Sequence, residues 1–555
     1  MPKISNDSIA DHLKLYSQLM DLHGKDPFKV KSYAGASFRI DKMPTDLTTL
    51  DIGQLEKIDG ISKSLASKIN EINQTGTFAD LQQLLEATPV GVMDMLSIKG
   101  IGPKKVRQIW QELEIESVGE LLYACNENRL KDYKGFGEKT QEAIIESINF
   151  KNNSSGKLHF ANAQQVANEI QLLLEQTNVF ETIAISGQVR RKCDVVEMFE
   201  WVCIANEDYI AEALQTLPQL EVEYEQEAYI QFNILGSYPA IIYKCADYNY
   251  EQILFETTAT PQHLTQIGYA SLTNKEVNEE AVYQNLQLPF IIPQMREGEH
   301  ELELVKRESK LIELSDLKGI LHNHSTYSDG KHSLKEMALY CKELGYEYFG
   351  ICDHSKTAVY AKGLEVERVH QQHIEIDQLN KELAPFKIFK GIESDILGDG
   401  SLDYTNDVLA TFDFVVASVH QNLKMTAEKA NTRLLKAIEN PYATILGHPT
   451  GRLLLSRPGY PIDHKLIIDA CAANGVAIEL NAHPYRLDID WRWLYYCMDK
   501  SVPVSINPDA HKKEGFHDMQ YGIYSAQKGG LTKDMTLNAL GRDELEKYFT
   551  SKYQK

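Results

Sequence analysis

After residue 317 the chain carries seven short apolar runs, and each ends in a residue able to bind a metal ion. Residues 319–321 lead to His322 and His324, residues 348–351 to Asp353 and His354, and residues 388–392 to Glu393. Residues 414–419 lead to His420, 443–447 to His448, 476–478 to Glu479 with His483 beyond it, and 502–506 to Asp509 and His511. Apolar runs this short, apolar on both faces, predict parallel strands. Amphipathic stretches such as 333–344, 426–439 and 464–474 intervene, so the expected unit is strand then helix, seven times over, closing into a barrel. In such barrels the loops at the carboxyl ends of the strands surround one mouth, and side chains at those ends converge there. Twelve of the 17 histidines lie at or after His322. His, Asp and Glu without thiolates suit a catalytic Zn, Mn or Fe site.

Within these runs, His322-Asn-His324-Ser-Thr-Tyr-Ser-Asp329-Gly, Cys352-Asp-His354-Ser and Asn507-Pro-Asp509-Ala-His511 resemble the motifs of the polymerase and histidinol phosphatase (PHP) family. Gly447-His448-Pro-Thr-Gly-Arg452 and Asp488-Ile-Asp490-Trp-Arg492 further resemble the PHP domain of bacterial family X DNA polymerases. The resemblance implies a (β/α)7 barrel over 317–555 and three divalent ions of Mn, Zn or Fe. His322, His324, Glu393 and Asp509 would hold one; Glu393, His420 and His448 a second; Asp329, His354 and His511 a third. Closely spaced divalent cations acidify a shared water and neutralise charge on phosphate oxygens, so phosphoester hydrolysis is expected. His322, His324, Glu393 and Asp509 are the expected catalytic residues. Arg452, with Arg457 and Arg486, is expected to supply cationic donors to the phosphate. His332 and His483 are either ligands or groups behind ligands, and the sequence does not choose.

Residues 1–150 read as all-helical, with a capped amphipathic helix at the start and no signal-like segment. One pattern occurs three times: residues 55–62, 95–102 and 130–137 each carry a Gly-containing turn, at Gly60, at Gly100 with Gly102, and at Gly135 with Gly137, before an amphipathic helix. These are expected to be helix-hairpin-helix motifs, whose backbone N–H groups contact DNA phosphate without regard to base sequence. Ser62 replaces the second glycine in the first copy. About 18 Lys and Arg stand against 22 Asp and Glu here, so any attraction to DNA is local. The region resembles the lyase and fingers portions of family X polymerases, which would make Lys68 a Schiff-base lysine, with Lys29 and Tyr33 nearby.

Beyond a polar junction at 151–156, residues 157–300 predict a small α/β domain with strands at 180–185, 199–205 and 229–235 and a helix at 161–176. Residues 301–316 are expected to link it to the barrel, with a helix-like stretch at 308–314. Residues 185–191 resemble the start of the nucleotidyltransferase motif of the same polymerases, but Met198 and Glu200 stand where two metal-binding aspartates belong, and Asn233 stands for the third. About 7 Lys and Arg face 21 Asp and Glu between residues 155 and 300, a surface that repels template and triphosphate.

The expectation is therefore a metal-dependent DNA phosphodiesterase of DNA repair, a 3′-5′ exonuclease or abasic-site endonuclease, with polymerisation lost. It would act on gapped, nicked or abasic duplex as a monomer. A small-molecule phosphatase and a still active repair polymerase are the alternatives. The eight cysteines lack C-x-x-C spacing, and no apolar run is long enough to span a bilayer, so a cytoplasmic, membrane-free protein with reduced thiols is expected. The net charge of -22 places any affinity for DNA in local sites.

Overall fold

The computed structural model describes residues 5–552 except 42, 44, 59, 99, 132, 134, 153–155, 206, 276 and 308. Much of the expected junction at 151–156, and one or two residues of each glycine turn, lie outside the described set. The chain divides into two compact units, one running to Ile148 without Glu127–Arg129, the other comprising those three residues and everything from Asn149 onward.

The first unit is helical. Its opening helix, Asn6–Leu22, is capped by the Ser5 side chain, which accepts from the Ser8 N–H. The three repeats fold alike: Gly60, Gly100 and Gly135 have φ of 82°, 96° and 94°. That left-handed conformation strains any residue with a Cβ. In each copy the following residue, Ile61, Ile101 or Phe136, donates its N–H three residues back and buries its side chain. Helices Lys63–Thr75, Pro103–Leu113 and Glu138–Asn152 then begin. Ser62, in place of the second glycine, caps its helix by accepting from the Leu65 N–H.

The second unit holds two main sheets. Strands β1 (Leu158–His159) and β3 (Val195–Val196) form a short ribbon. Strands β2 (Phe180–Ile185), β4 (Phe199–Ala205), β5 (Leu220–Glu225), β6 (Tyr229–Ile234) and β7 (Tyr238–Cys245) form a mixed sheet in the order β2-β4-β7-β6-β5. Sequence patterning anticipates β2, β4 and β6 but not β5, a charged edge strand, nor β7, whose Pro239 argues against a strand. Trp201, Phe199 and Phe232 pack the core of this sheet against helix Phe160–Gln176.

The barrel comprises β8 (Gly319–Ile320), β9 (Tyr348–Ile351), β10 (Lys387–Asp395), β11 (Phe414–Ser418), β12 (Ile445–Leu446), β13 (Ala477–Asn481) and β14 (Val504–Asn507), all parallel and in sequence order. All seven expected runs are strands. Beyond the ends of β8 and β14, the His324 N–H donates to the Ala510 carbonyl at 2.9 Å, drawing the first and last strands together at the mouth. Lower down, the buried Asn538 amide accepts from the Ile506 N–H at 2.7 Å and donates to the Gly319 carbonyl at 3.3 Å, replacing the missing ladder across that seam. Phe549, from helix Arg542–Lys552, enters the bottom and stacks on Phe414 with ring centroids 5.1 Å apart. The barrel floor is thus apolar, which leaves the mouth as the place for polar chemistry.

The helix expected at 308–314 does not form over 309–313. The buried Ile312 donates its N–H to the Leu531 carbonyl, and Leu311 bridges Thr532. Burying Ile312 against that segment outweighs local helical periodicity. Glu301 is buried and accepts from His263, Gly298 and Glu299 within the stretch expected to be a linker.

Candidate metal centre

The nine expected metal ligands all lie at the carboxyl ends of the barrel strands, and every one is buried or nearly so. Four overlapping groups have ligand atoms within 4.8 Å of one another: His324, Asp329, His354 and His511; His322, Glu393 and His448; His322, His324 and Asp509; and His354, Glu393 and His420. Glu393 stands at the middle. Its Oε1 lies 3.2, 3.0 and 3.0 Å from Nε2 of His322, His420 and His448, while Oε2 lies 2.9 Å from His354 Nδ1 and 3.6 Å from His324 Nε2. One carboxylate oxygen thus faces one set of imidazoles and the second oxygen another, which is the arrangement of a bridging ligand. Asp329 lies 3.4 Å from His511 and 3.6 Å from His354, and Asp509 lies 3.1 Å from His324.

The donor set fits metal ions on its own evidence. Buried ring nitrogens of His322, His324, His354, His420, His448 and His511, with oxygens of Asp329 and Glu393, have no hydrogen-bond partner. Leaving so many polar atoms unsatisfied in one pocket is costly unless a cation satisfies them. The electrostatics agree. Burial alone would raise the Glu393 carboxyl, yet His420, His322 and His354 hold it well below its usual range. Burial opposes a charged imidazole at His420, but Glu393 and Asp395 raise it to about 9. Burial, with His511 and His354 beside it, pushes His324 down to about 3. The carboxylates therefore demand positive charge that some imidazoles supply only by taking protons. Backbone strain marks the same place: His322, His448 and Asp509 have φ of 56°, 22° and 52°.

Carboxylates behind the cluster aim the imidazoles. Glu479, which ends the sixth run, accepts from His322 Nδ1 at 2.6 Å, so the Nε2 lone pair faces inward. Asp395 does the same for His420 Nδ1. Glu127 stands in ion-pair contact with His511 Nδ1. Asp395, two residues past Glu393 on the same strand, could have been anticipated from alternation; Glu127 has no sequence signal connecting it to the barrel. Asp353 binds no imidazole, but accepts from the backbone and hydroxyls of Ser325 and Ser328, fixing the loop after β8. His483 faces Glu127 at 3.5 Å and His332 accepts from the Lys513 N–H, so neither stands in a ligand group.

Arg452 requires correction. Expected at the phosphate, it instead pairs with Asp490 at 2.5 Å and Asp194 at 3.3 Å and donates to the carbonyls of Arg486 and Leu487. Two partly buried carboxylates outcompete the mouth for its fork of donors. Arg486 instead carries a guanidinium to the cluster, with Nε 3.7 Å from Asp509. In the helical unit, Lys68 pairs with Asp80 and sits over the rings of Phe78 and Tyr16, at 5.0 and 5.3 Å from their centroids.

The comparisons with known proteins agree with this geometry. Residues 4–78 match a helix-hairpin-helix domain, residues 92–149 a SAM-like helix-hairpin-helix tandem, and residues 321–483 the PHP domain. The chain is 31% identical to the DNA polymerase/3'-5' exonuclease PolX of Bacillus subtilis, over 97% of this chain and 98% of that one. It is 27% identical to a probable phosphatase of Syntrophotalea carbinolica over 39% of this chain and 90% of that protein. A probable phosphatase of Acetivibrio thermocellus matches at 30% identity over 30% of this chain and 65% of its own length. The protein is a DNA-binding enzyme, a metal-dependent phosphoester hydrolase that carries helix-hairpin-helix domains. With hairpins and a PHP barrel joined in one polypeptide and a full-length relative at that identity, the chain belongs to the PolX family.

Proposed function

We propose that this enzyme hydrolyses DNA phosphodiesters, as a 3′-5′ exonuclease, an abasic-site endonuclease or both, on gapped, nicked or abasic duplex during repair. The observation that carries the reading is the coexistence, in one chain, of three glycine hairpin turns of the kind suited to phosphate and a buried cluster of nine metal-competent side chains. The hairpins serve a polymer and have no role for a small monoester. His322, His324, Glu393 and Asp509 would hold one divalent ion, Glu393, His420 and His448 a second, and Asp329, His354 and His511 a third. Mn, Zn and Fe all suit imidazole with carboxylate. When bound, such ions supply Lewis acidity and an acidified water for attack on phosphorus. Glu393 holds adjacent subsites in register, Glu479 and Asp395 fix the ring tautomers, and Arg486 lends positive charge beside Asp509. The apolar barrel floor excludes water from below. A monomeric chain in the cytoplasm suits eight cysteines that are all free thiols, and among the described residues no helix is long and apolar enough to cross a membrane.

Polymerisation is proposed to be lost. Of the nearby carboxylates, Asp194 is spent on Arg452 and Glu197 on Lys157. Glu200 lies against Gly187 and accepts from the Tyr243 hydroxyl, and Asn233 donates to Glu223. Met198 offers no oxygen ligand. Template-dependent incorporation that Glu200→Ala abolishes would overturn this.

The decisive experiment incubates the purified chain with end-labelled gapped and abasic duplexes plus Mn, beside a His322→Ala/His324→Ala variant. Stepwise shortening from the 3′ end or incision at the abasic site, absent from the variant, is expected. A chain that leaves both duplexes whole yet hydrolyses a simple phosphate monoester would favour the second reading, a small-molecule phosphatase. The two probable phosphatases, each similar to part of this chain, support that alternative.

A further inference from the structure

Three candidate ligands have a ring nitrogen held from behind by a carboxylate. For His322 and His420 the carboxylate belongs to a barrel strand, Glu479 on β13 and Asp395 on β10. For His511 it is Glu127, which stands in sequence between the second and third hairpin repeats and groups with the second unit together with Asn128 and Arg129. The Glu127 side chain is 6% exposed, and its other oxygen lies 3.5 Å from His483 Nε2. His483 Nδ1 accepts from the Tyr485 N–H, so in the neutral ring the proton sits on Nε2 and points at Glu127. His511 Nδ1 also donates to the Asp509 carbonyl at 3.0 Å. With that proton fixed on Nδ1, His511 Nε2 presents its lone pair, without a hydrogen-bond partner, 3.4 Å from Asp329. The same turn touches the subsite a second time: Arg129 Nε lies 3.9 Å from Asp329 Oδ2, and its guanidinium covers Tyr360, whose ring stands 6.0 Å from that of His354.

We infer that Glu127 is a positioning residue for the subsite formed by Asp329, His354 and His511, so that the barrel's third metal position is completed by a turn from outside the barrel sequence. The inference rests on the proposed metal-dependent reading. It has a practical consequence: deleting residues 1–150 removes Glu127 along with the hairpins, so loss of activity on such deletion does not separate a nuclease from a phosphatase.

The test uses the full chain with Mn alone as the probe. Wild type, Glu127→Ala and Glu127→Gln are dialysed against limiting chelator, and ion content and Mn affinity are measured with unfolding temperature as the control. Glu127→Ala is expected to lose about one ion per chain and to need roughly 10–100-fold more Mn for half-maximal hydrolysis. Its rate at saturating Mn should return to near wild type, which a merely unfolded site would not allow. Glu127→Gln keeps an acceptor for His511 without altering shape and should fall between. Wild-type ion content and Mn dependence in a folded Glu127→Ala chain, or in Glu127→Gln should the alanine variant not fold, would overturn the inference. A chain that loses the ion as expected but leaves DNA uncut in every form would sink the nuclease reading and leave this one standing.

Discussion

Glu479 touches no expected ion, yet the geometry gives it control over one. Its two oxygens accept three N–H groups: His322 Nδ1 at 2.6 Å and Asn507 Nδ2 at 2.9 Å on Oε1, and the His448 backbone N–H at 2.7 Å on Oε2. All of these groups are buried. Glu479→Gln conserves volume but replaces one acceptor with an NH2 group. If the amide oxygen stays with His322 and Asn507, the NH2 confronts the His448 N–H; if it flips, two donors lose their acceptor. The milder choice leaves the His448 N–H and the NH2 opposite it without an acceptor, a cost of about 1–3 kcal/mol for each buried donor to the metal-free fold. Either choice slackens His322 or the strained backbone at His448. Outer partners of metal-bound imidazoles are worth about 10–100-fold in affinity, or roughly 1.4–2.8 kcal/mol. Competition against a chromogenic chelator measures this directly, with thermal unfolding of the metal-free chain as the companion measurement. A folded Glu479→Gln chain that holds Mn or Zn as tightly as wild type would refute the argument that this carboxylate positions His322 and His448 together for metal.

Four further outcomes are expected. Glu279→Ala strips its partner from the fully buried Arg296, which otherwise sits 2.7 Å from it, and should destabilise the second unit by about 3–5 kcal/mol in thermal unfolding. Burial opposes ionisation of Glu279, but Arg296 and Arg190 depress it from 4.5 to about 2. Its folded value lies below its unfolded one, so its stabilisation is complete above about pH 4.5 and disappears as pH falls through about 2; acid unfolding that Glu279→Gln leaves unshifted would contradict this. Gly100→Val with Gly135→Val forces β-branched residues to φ near 95° and should weaken duplex binding several-fold while leaving bound metal unchanged, measured by anisotropy on gapped DNA. Lys68→Ala should abolish any borohydride-trapped adduct with an abasic duplex, and an undiminished adduct would assign the amine elsewhere.

Much of this protein is written locally. The seven barrel strands are legible because each is buried on both faces over most of its length and so reads as a largely apolar run, and the ligands because each lies at or just beyond the end of its run. The hairpins are legible because only glycine relaxes at Gly60, Gly100 and Gly135. What the sequence cannot disclose is pairing between distant groups. Arg452 looks like a phosphate donor until Asp194 and Asp490 claim it, and nothing around Asn538 announces that its amide seams β8 to β14. Glu479 reads as one more acidic strand end, yet it serves as the clamp on His322. Glu127 and His511 stand far apart in sequence and meet only when the chain folds. Local steric and solvation rules fixed the elements and the ligand types, whereas partner choice among buried charges depends on which oppositely charged groups the tertiary fold brings within hydrogen-bonding reach.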